Sequence, residues 1–432
     1  MSDLTDLIVK GTETLSGFVQ APPSKAHTHR SLVAASLSEG RSIIKNPLIC
    51  DDTVATINSC RMLGAKVSHD KDAFIVDGVS KPETPENIID CGESGSTIRF
   101  LTPVCALAEG ISILTGSESL RKRPMKPLLE ALKQLGVNCY SARSDGFPPI
   151  IVFGGGIKGG EVTIRGDVSS QYISGLLFAT PMAEDKTQID VTTQLESKPY
   201  IAMTLDVLYR HGVRVDSEFD YRRFSVPPDQ RYAPFDHTIE GDYSSAAFLM
   251  AAAAITNSRI RISGLKRETL QGDKAIVSIL KDMSALVDVG DDYVDVRGAE
   301  HGLKGINLDL SDNPDLVPVC VALSSSAQGR TSISGVKRLR FKESDRILSL
   351  SSELRKMGIR VIALDDQLIV EGGKPRGAEL SSHRDHRIAM VCVVAALRTE
   401  GTSLVHGIEC ITKSYPKFVE DLRMLGGDVI ER

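Results

Sequence analysis

The chain has 432 residues, 41% apolar and 25% charged, enough for two or three domains of about 150 residues each around a large core. Lys and Arg number 51 against 56 Asp and Glu, a formal charge of −5 with no long like-charge tract, and aromatic content is 5% with no Trp, which argues against nucleic-acid binding. The longest apolar runs, 246–255 and 388–397, span ten residues each, short of the roughly 18 that cross a bilayer, and Met1-Ser2-Asp3 opens no signal-peptide pattern. A soluble cytoplasmic protein is therefore expected, with no membrane partner.

Along the chain a helix rich in small apolar residues runs into a short strand, and this happens six times. His29-Arg30-Ser31-Leu32-Val33 leads to Gly40-Arg41-Ser42-Ile43-Ile44, Ser96-Thr97-Ile98-Arg99-Phe100 to Gly110-Ile111-Ser112-Ile113, and Ser170-Gln171-Tyr172-Ile173 to Thr187-Gln188-Ile189. In the second half Ser244-Ser245-Ala246-Ala247 leads to Ile260-Arg261-Ile262, Asp315-Leu316-Val317 to Thr331-Ser332-Ile333, and His386-Arg387-Ile388 to Thr402-Ser403-Leu404. These first helices are apolar nearly all round, which predicts burial inside a domain with sheet around them.

A second, amphipathic helix follows in each copy and ends near residue 64, 136, 212, 284, 358 or 426, steps of about 72 residues. Glycine stands at five of those ends, where a left-handed residue closes a helix. The residues beyond, such as Val213-Arg214-Val215 and Ile359-Arg360-Val361, alternate as strands do. The prediction is an α/β chain of six β-α-β-α-β-like units.

Eight cysteines show no Cys-x-x-Cys spacing and read as small core residues, and no metal site is expected. The polar residues that interrupt the apolar pattern gather at predicted helix starts. First helices open with Ser24-Lys25, Gly95-Ser96, Ser169-Ser170-Gln171, Asp242-Tyr243-Ser244, Pro314-Asp315 and Asp385-His386-Arg387. Second helices open with Arg123-Pro124, Ser197-Lys198-Pro199-Tyr200, Gln271-Gly272-Asp273, Lys342-Glu343-Ser344-Asp345-Arg346 and Lys413-Ser414-Tyr415-Pro416. Ser and Asp at such places serve as N-caps, but Arg and Lys oppose the helix macrodipole. Arg99, Arg123, Arg346 and Arg387 are therefore expected to be balanced by a bound anion, since helix N-termini and guanidinium groups together suit phosphates and carboxylates.

With these residues assembled, the chain resembles the 5-enolpyruvylshikimate-3-phosphate synthase family from end to end. The resemblance rests on Ser24-Lys25 with Arg30, Gly95-Ser96 with Arg99, Arg123-Pro124, Ser169-Ser170-Gln171, Ser197 with Tyr200, Asp242-Tyr243-Ser244-Ser245, Pro314-Asp315, Lys342 to Arg346, Asp385-His386-Arg387, and Lys413. It implies the two-domain enolpyruvyl transferase fold: six β-α-β-α-β-β units, three per domain, with substrates in a cleft that closes on binding. Residues 1–20 with 239–432 would form a discontinuous domain holding the catalytic carboxylates, and 21–238 an inserted domain binding shikimate 3-phosphate.

The reaction so implied transfers the enolpyruvyl group of phosphoenolpyruvate to the 5-hydroxyl of shikimate 3-phosphate through a tetrahedral adduct, without metal or other cofactor, in a protein expected to act as a monomer. By resemblance Asp315 takes the hydroxyl proton with Lys25 as charge partner, and Glu343 exchanges a proton with the methylene carbon. Such an acid needs its pKa raised by burial or a neighbouring carboxylate. Phosphoenolpyruvate is assigned Lys25, Gly95, Arg123, Gln171, Arg346, Arg387 and Lys413. Shikimate 3-phosphate is assigned Lys25, Arg30, Ser169, Ser170, Gln171, Ser197, Tyr200, Asp315 and Lys342. Ala26 and Glu93 stand where the family commonly has serine and asparagine, and Glu93 is expected to pair with a basic residue or point away. Two rival readings are a transferase acting on UDP-N-acetylglucosamine, disfavoured because 115–123 lacks a cysteine, and a non-catalytic phosphometabolite sensor, disfavoured because Asp315 and Glu343 are present.

Overall fold

In a computed structural model describing residues 5–432, the chain separates into two compact units, residues 1–22 with 240–432 and residues 23–239. Among the described residues there are six four-stranded sheets, three in each unit, all with one pattern. An edge strand lies parallel to the second strand, and the remaining pairs are antiparallel. In the second copy, for example, Ile89–Asp90 pairs parallel with Ile111–Thr115, which pairs antiparallel with Ile150–Phe153, and that with Asn138–Ser141. The chain order there is strand, helix, strand, helix, strand, strand, the β-α-β-α-β-β unit that the resemblance implies.

The first strands explain why residues 1–22 belong with the C-terminal half. Leu7–Lys10 pairs with Thr402–His406 and with Val429–Glu431, and Ser16–Gln20 lies parallel to Arg259–Ser263. Both sheets would lack a strand without this segment. In the other unit the edge beside Gly40–Lys45 is supplied by His237–Thr238, at the end of the inserted unit.

Each unit has its own core. All thirteen residues of the helix Tyr243–Ile255, all nine of Val317–Ser325 and all eleven of His386–Ala396 are buried, and these three helices pack on one another with the sheets outside. Uniformly apolar surfaces leave no solvent face, so the burial follows from the sequence. Seven of the eight cysteines are buried, and all are free thiols. No helix among the described residues is long and apolar enough to cross a membrane.

The second helices end as their glycines require. Gly64, Gly136, Gly212, Gly358 and Gly426 have φ between 75° and 101°. In the fourth copy Ser284 takes the same left-handed conformation at φ 78°, which costs a side chain roughly 1 kcal/mol. One expected strand is missing: Val213-Arg214-Val215 runs outside any sheet, and the strand begins only at Asp216–Ser217. The Gln230 side chain takes the place of a neighbouring strand, its Oε1 accepting the Arg214 N–H at 2.7 Å and its Nε2 donating to the Arg214 carbonyl at 3.0 Å.

Helices Gly95–Cys105 and Ser170–Ala179 approach closely at Gly175, where an added Cβ would collide with the Arg99 carbonyl oxygen. In an exposed helix Gly→Ala gains about 1 kcal/mol. Here the two backbones would have to separate, at a cost of about 1–3 kcal/mol. Gly175→Ala is therefore expected to lower the urea midpoint of unfolding; a raised midpoint would show that the contact yields freely.

Candidate active site

In the 23–239 unit the polar groups are held at helix starts by their own caps. Ser24 is extended at φ −66°, ψ 115° and its hydroxyl accepts the His27 N–H, opening Lys25–Ser36. Ser94 does the same for Thr97 at 3.2 Å, and Ser169 for Gln171 at 3.3 Å. Lys25 Nζ lies 2.9 Å from Asp52 Oδ2, both largely buried.

Arg30 is 2% exposed and stacks over the rings of Phe100 and Tyr200 at 5.2 and 5.6 Å. Its Nε donates to Thr204 Oγ1 at 2.9 Å, Nη1 to the Ala26 carbonyl at 2.9 Å and Nη2 to the Tyr200 carbonyl at 3.1 Å. Arg30 thus fixes the start of Lys198–Arg210, where Tyr200 stands. Burial lowers its guanidinium to about 10, which still leaves it cationic at neutral pH.

Ser197, before that helix, holds φ +59° with no side-chain capping bond. Glycine would relieve this backbone, so Ser197 holds a left-handed conformation at a cost in backbone strain. Gly95 has the opposite logic. Its φ is ordinary, but a Cβ there would lie 3.1 Å from Arg123 Nη1 and 3.4 Å from Arg99 Nη1. Arg99 Nη1 donates to Gln171 Oε1 at 2.7 Å, and Gln171 Nε2 to Ser96 Oγ at 2.9 Å. Gly95, Ser96, Arg99, Arg123 and Gln171 therefore form one patch, with guanidinium groups over a helix start bare of side chain. The hydroxyl of Ser119 lies 3.5 Å from Glu93 Oε1 at its margin.

In the other unit Arg346 is the centre. It opens the helix Arg346–Lys356 and is 1% exposed. Its Nε is 2.9 Å from Asp385 Oδ2, Nη1 3.2 Å from Asp315 Oδ1, and Nη2 2.8 Å from Glu343 Oε2. Protein carboxylates already lie against both Arg346 and Arg387, so neither depends on a bound anion alone for its charge balance. Arg387 Nη2 sits 3.1 Å from Asp315 Oδ2, and its Nη1 donates to the Asp315 carbonyl at 3.1 Å. Arg99 and Arg123 are not first-turn residues at all, Arg99 being the fifth of its helix and Arg123 preceding Lys126–Gln134.

Lys413, 4% exposed, approaches Glu343 Oε1 at 4.0 Å. Asp385 is fully buried and caps the helix His386–Ala396 through the Arg387 N–H at 3.0 Å, with the Ser344 hydroxyl donating to it at 3.2 Å. Burial pushes the Asp315 carboxyl up, but Arg387, Lys342 and Arg346 outweigh it and hold the group well below the usual carboxylate range. Burial lowers Lys342 to about 8 although Asp315 opposes it. Arg346 is held cationic by Asp385, Glu343 and Asp315 against its burial. Asp315 and Glu343 therefore share one guanidinium with the buried Asp385, with Lys342, Arg387 and Lys413 beside them, an arrangement fit for proton exchange next to a bound anion. Among the described residues no cluster of three or more His, Cys, Asp or Glu side chains is placed to hold a metal ion.

A family model described as EPSP synthase (3-phosphoshikimate 1-carboxyvinyltransferase) matches residues 9–422. The chain belongs to the EPSP synthase family. A 3-phosphoshikimate 1-carboxyvinyltransferase of Methanocaldococcus jannaschii is 45% identical over 427 residues, 98% of this chain and 99% of that one. Another, of Methanothermobacter thermautotrophicus, is 44% identical over 422 residues, 98% of each. The solved EPSP synthase of Acinetobacter baumannii gives a TM-score of 0.83 at 28% identity, covering 99% of this chain and 100% of that one. The enolpyruvyl transferase NikO of Streptomyces tendae gives 0.78 at 20% identity, with 99% of each chain covered, which speaks for the fold alone.

Within this family site the sequence reading missed the supporting acids. Asp385 looked like an N-cap and is one, yet it also carries Arg346. Asp52, in the first turn of Asp51–Met62 and marked by no sequence pattern, is the partner of Lys25. Only spatial neighbours distinguish these roles. Replacing Asp385 by Ala removes a helix cap and the bidentate partner of a buried arginine, so stability should fall by about 3 kcal/mol or more in urea unfolding. A change under about 0.5 kcal/mol would mean that Asp315 and Glu343 suffice to hold Arg346.

Proposed function

We propose that this chain transfers the 1-carboxyvinyl group of phosphoenolpyruvate to the 5-hydroxyl of shikimate 3-phosphate, releasing phosphate, in the shikimate route to aromatic amino acids. The observation that carries the reading is Asp315 and Glu343 bonded to one buried Arg346, in a chain matched to the family from residue 9 to 422. In the addition step the 5-hydroxyl oxygen attacks C2 of phosphoenolpyruvate, Asp315 receives the hydroxyl proton, and Glu343 delivers a proton to the C3 methylene. In the elimination Glu343 takes a proton back from the new methyl group, the C2–C3 double bond returns, the C2–O bond to phosphate breaks, and the hydroxyl proton held by Asp315 leaves with the phosphate. Arg387, Lys342 and Arg346 hold Asp315 ionised, so its carboxylate is available to accept the hydrogen bond of the hydroxyl and orient it.

The same reading assigns phosphoenolpyruvate to Lys25, Gly95, Arg123, Gln171, Arg346, Arg387 and Lys413. Gly95 leaves room for a small anion against two guanidinium groups. Shikimate 3-phosphate is assigned to Lys25, Arg30, Ser169, Ser170, Gln171, Ser197, Tyr200, Asp315 and Lys342. The caps at Ser169 and the uncapped, left-handed Ser197 offer hydroxyls and helix N–H groups to its phosphate.

Phosphate release measured with both substrates together, and with each alone, tests the reaction. Release should require both and fall by about 10²-fold or more in Asp315→Ala; release from either substrate alone, or unchanged turnover in the variant, contradicts the reading. Lys342 gives a pH test. Below about 8 it is an ammonium that attracts the shikimate 3-phosphate anion, and above that it loses the charge. The wild-type kcat/KM for shikimate 3-phosphate should therefore decline above pH 8, and Lys342→Arg should move that decline upward by at least about one pH unit. An identical alkaline limb in the variant removes Lys342 from the profile.

A further inference from the structure

Two turns along the helix Arg346–Lys356 from the arginine that opens it stands a second buried charge, Glu353, 1% exposed. Its Oε1 accepts His383 Nε2 at 2.8 Å, and its Oε2 accepts the Ser381 N–H at 2.9 Å and Lys356 Nζ at 2.7 Å. Burial pushes the Glu353 carboxyl up, but His383, Lys356 and the Ser381 N–H outweigh it and lower the group to about 2, so it is an anion at neutral pH. Lys356 is a neighbour on the same helix. The other two donors belong to the turn that follows the strand Glu379–Ser381.

That turn is strained, because His383 and Arg384 are consecutive left-handed residues at φ 52° and 57° and neither is glycine. Inside it the Ser381 hydroxyl accepts the His383 N–H and the Ser382 hydroxyl the Arg384 N–H, each at 3.2 Å, and the Ser382 carbonyl accepts the Asp385 N–H at 2.9 Å. Residues 381–384 line a cavity of about 950 Å³ together with Glu343, so part of the turn faces open space rather than a packed neighbour.

What the turn delivers is Asp385. Its Oδ2 meets Arg346 Nε at 2.9 Å and its Oδ1 accepts the Arg387 N–H at 3.0 Å. The helix Arg346–Lys356 therefore grips this turn at two points, through Arg346 at Asp385 and through Glu353 at Ser381 and His383. Residues seven apart share a helix face and stand about 10 Å apart along the axis. One contact would let the turn pivot, and two fix its register. Capping does not explain Glu353, since Asp385 itself caps His386–Ala396.

We propose that Glu353 is a positioning residue: by holding Ser381 and His383 it fixes the turn that sets Asp385 and Arg387 relative to Arg346, and with it the spacing of two guanidinium groups that receive phosphoenolpyruvate. The inference rests on the assignment of Arg346 and Arg387 to phosphoenolpyruvate. Most groups assigned to shikimate 3-phosphate belong to the 23–239 unit, to which the clamp contributes nothing.

The test compares Glu353→Ala, Glu353→Gln, His383→Ala and the double alanine variant with the wild type by steady-state kinetics in both substrates. Glu353→Ala should raise KM for phosphoenolpyruvate by about tenfold, with kcat and KM for shikimate 3-phosphate within about threefold of wild type. Glu353→Gln keeps an oxygen for the Ser381 N–H and offers an NH₂ group to His383, whose Nε2 accepts in the other tautomer, so it should recover most of that loss. His383→Ala removes one of the two holds on the turn and should raise the same KM by about threefold, adding nothing when combined with Glu353→Ala. A merely structural role would lower the active fraction, and so kcat, without this split. Unchanged kinetics in Glu353→Ala, equal rises in both KM values, no recovery with Gln, or a further loss in the double variant would each overturn the proposal. Should Glu353→Ala not fold, His383→Ala decides it: a rise in KM for phosphoenolpyruvate alone supports the clamp, and unchanged kinetics overturns it. If the wild type itself releases no phosphate from the two substrates together, the reaction assignment fails, and backbone hydrogen exchange reads the clamp separately. Faster exchange confined to residues 381–387 in His383→Ala supports the clamp, and exchange equal to wild type there overturns it.

Discussion

A guanidinium with no access to water holds one half of this chemistry together. Burying an arginine alone costs several kcal/mol, and the cost is met only where carboxylates surround it with good geometry. Arg346 has three, contributed by the turn at Asp315, the segment at Glu343 and the cap of the next helix at Asp385. Each of those acids also has a second cation or helix N–H group, so the cluster forms as a unit. The positions of Asp315 and Glu343 relative to each other are set by the two ends of one rigid planar group, which gives a tighter tolerance than two independent side chains could.

The charge balance follows from the same cluster. Lys342, Arg346, Arg387 and Lys413 face Asp315, Glu343 and Asp385, so a locally positive region persists in a protein whose formal charge is −5. The cations keep Asp315 ionised, and the burial that they overcome there is strong enough at Lys342 to bring an amine close to its titration range. In the 23–239 unit the polar logic differs. There serines cap helix starts, Ser197 accepts backbone strain, and Gly95 withholds a side chain, so the polar groups presented are mainly hydroxyls, N–H groups and the Arg99 and Arg123 guanidinium groups.

Much of this was legible along the chain. First helices rich in small apolar residues, six closing left-handed residues and polar residues gathered at helix starts are local patterns, and local patterns survive folding because they report backbone conformation and burial directly. The exceptions have local causes of another kind. Gln230 displaced a strand at Val213-Arg214-Val215 by offering its amide in place of a backbone neighbour, and Ser284 adopted a glycine conformation because the repeat demanded it. Arg346 and Arg387 have carboxylate partners that were not legible, for a different reason. Their acids lie 31 residues or more away in most pairs, and no spacing rule joins Asp315 to Arg346 or to Arg387.

The sequence by itself determined the repeat, the α/β class, the apolar helices at the core and the residue types available for catalysis, because each depends on periodicity or on side-chain chemistry within one element. Only the tertiary structure decided which acid serves which base. Asp385 reads along the chain as a capping acid, and no spacing marks Asp52 as the partner of Lys25. Their roles differ because electrostatic and hydrogen-bond energies fall off over a few ångströms of space, and distance along the chain says nothing of that.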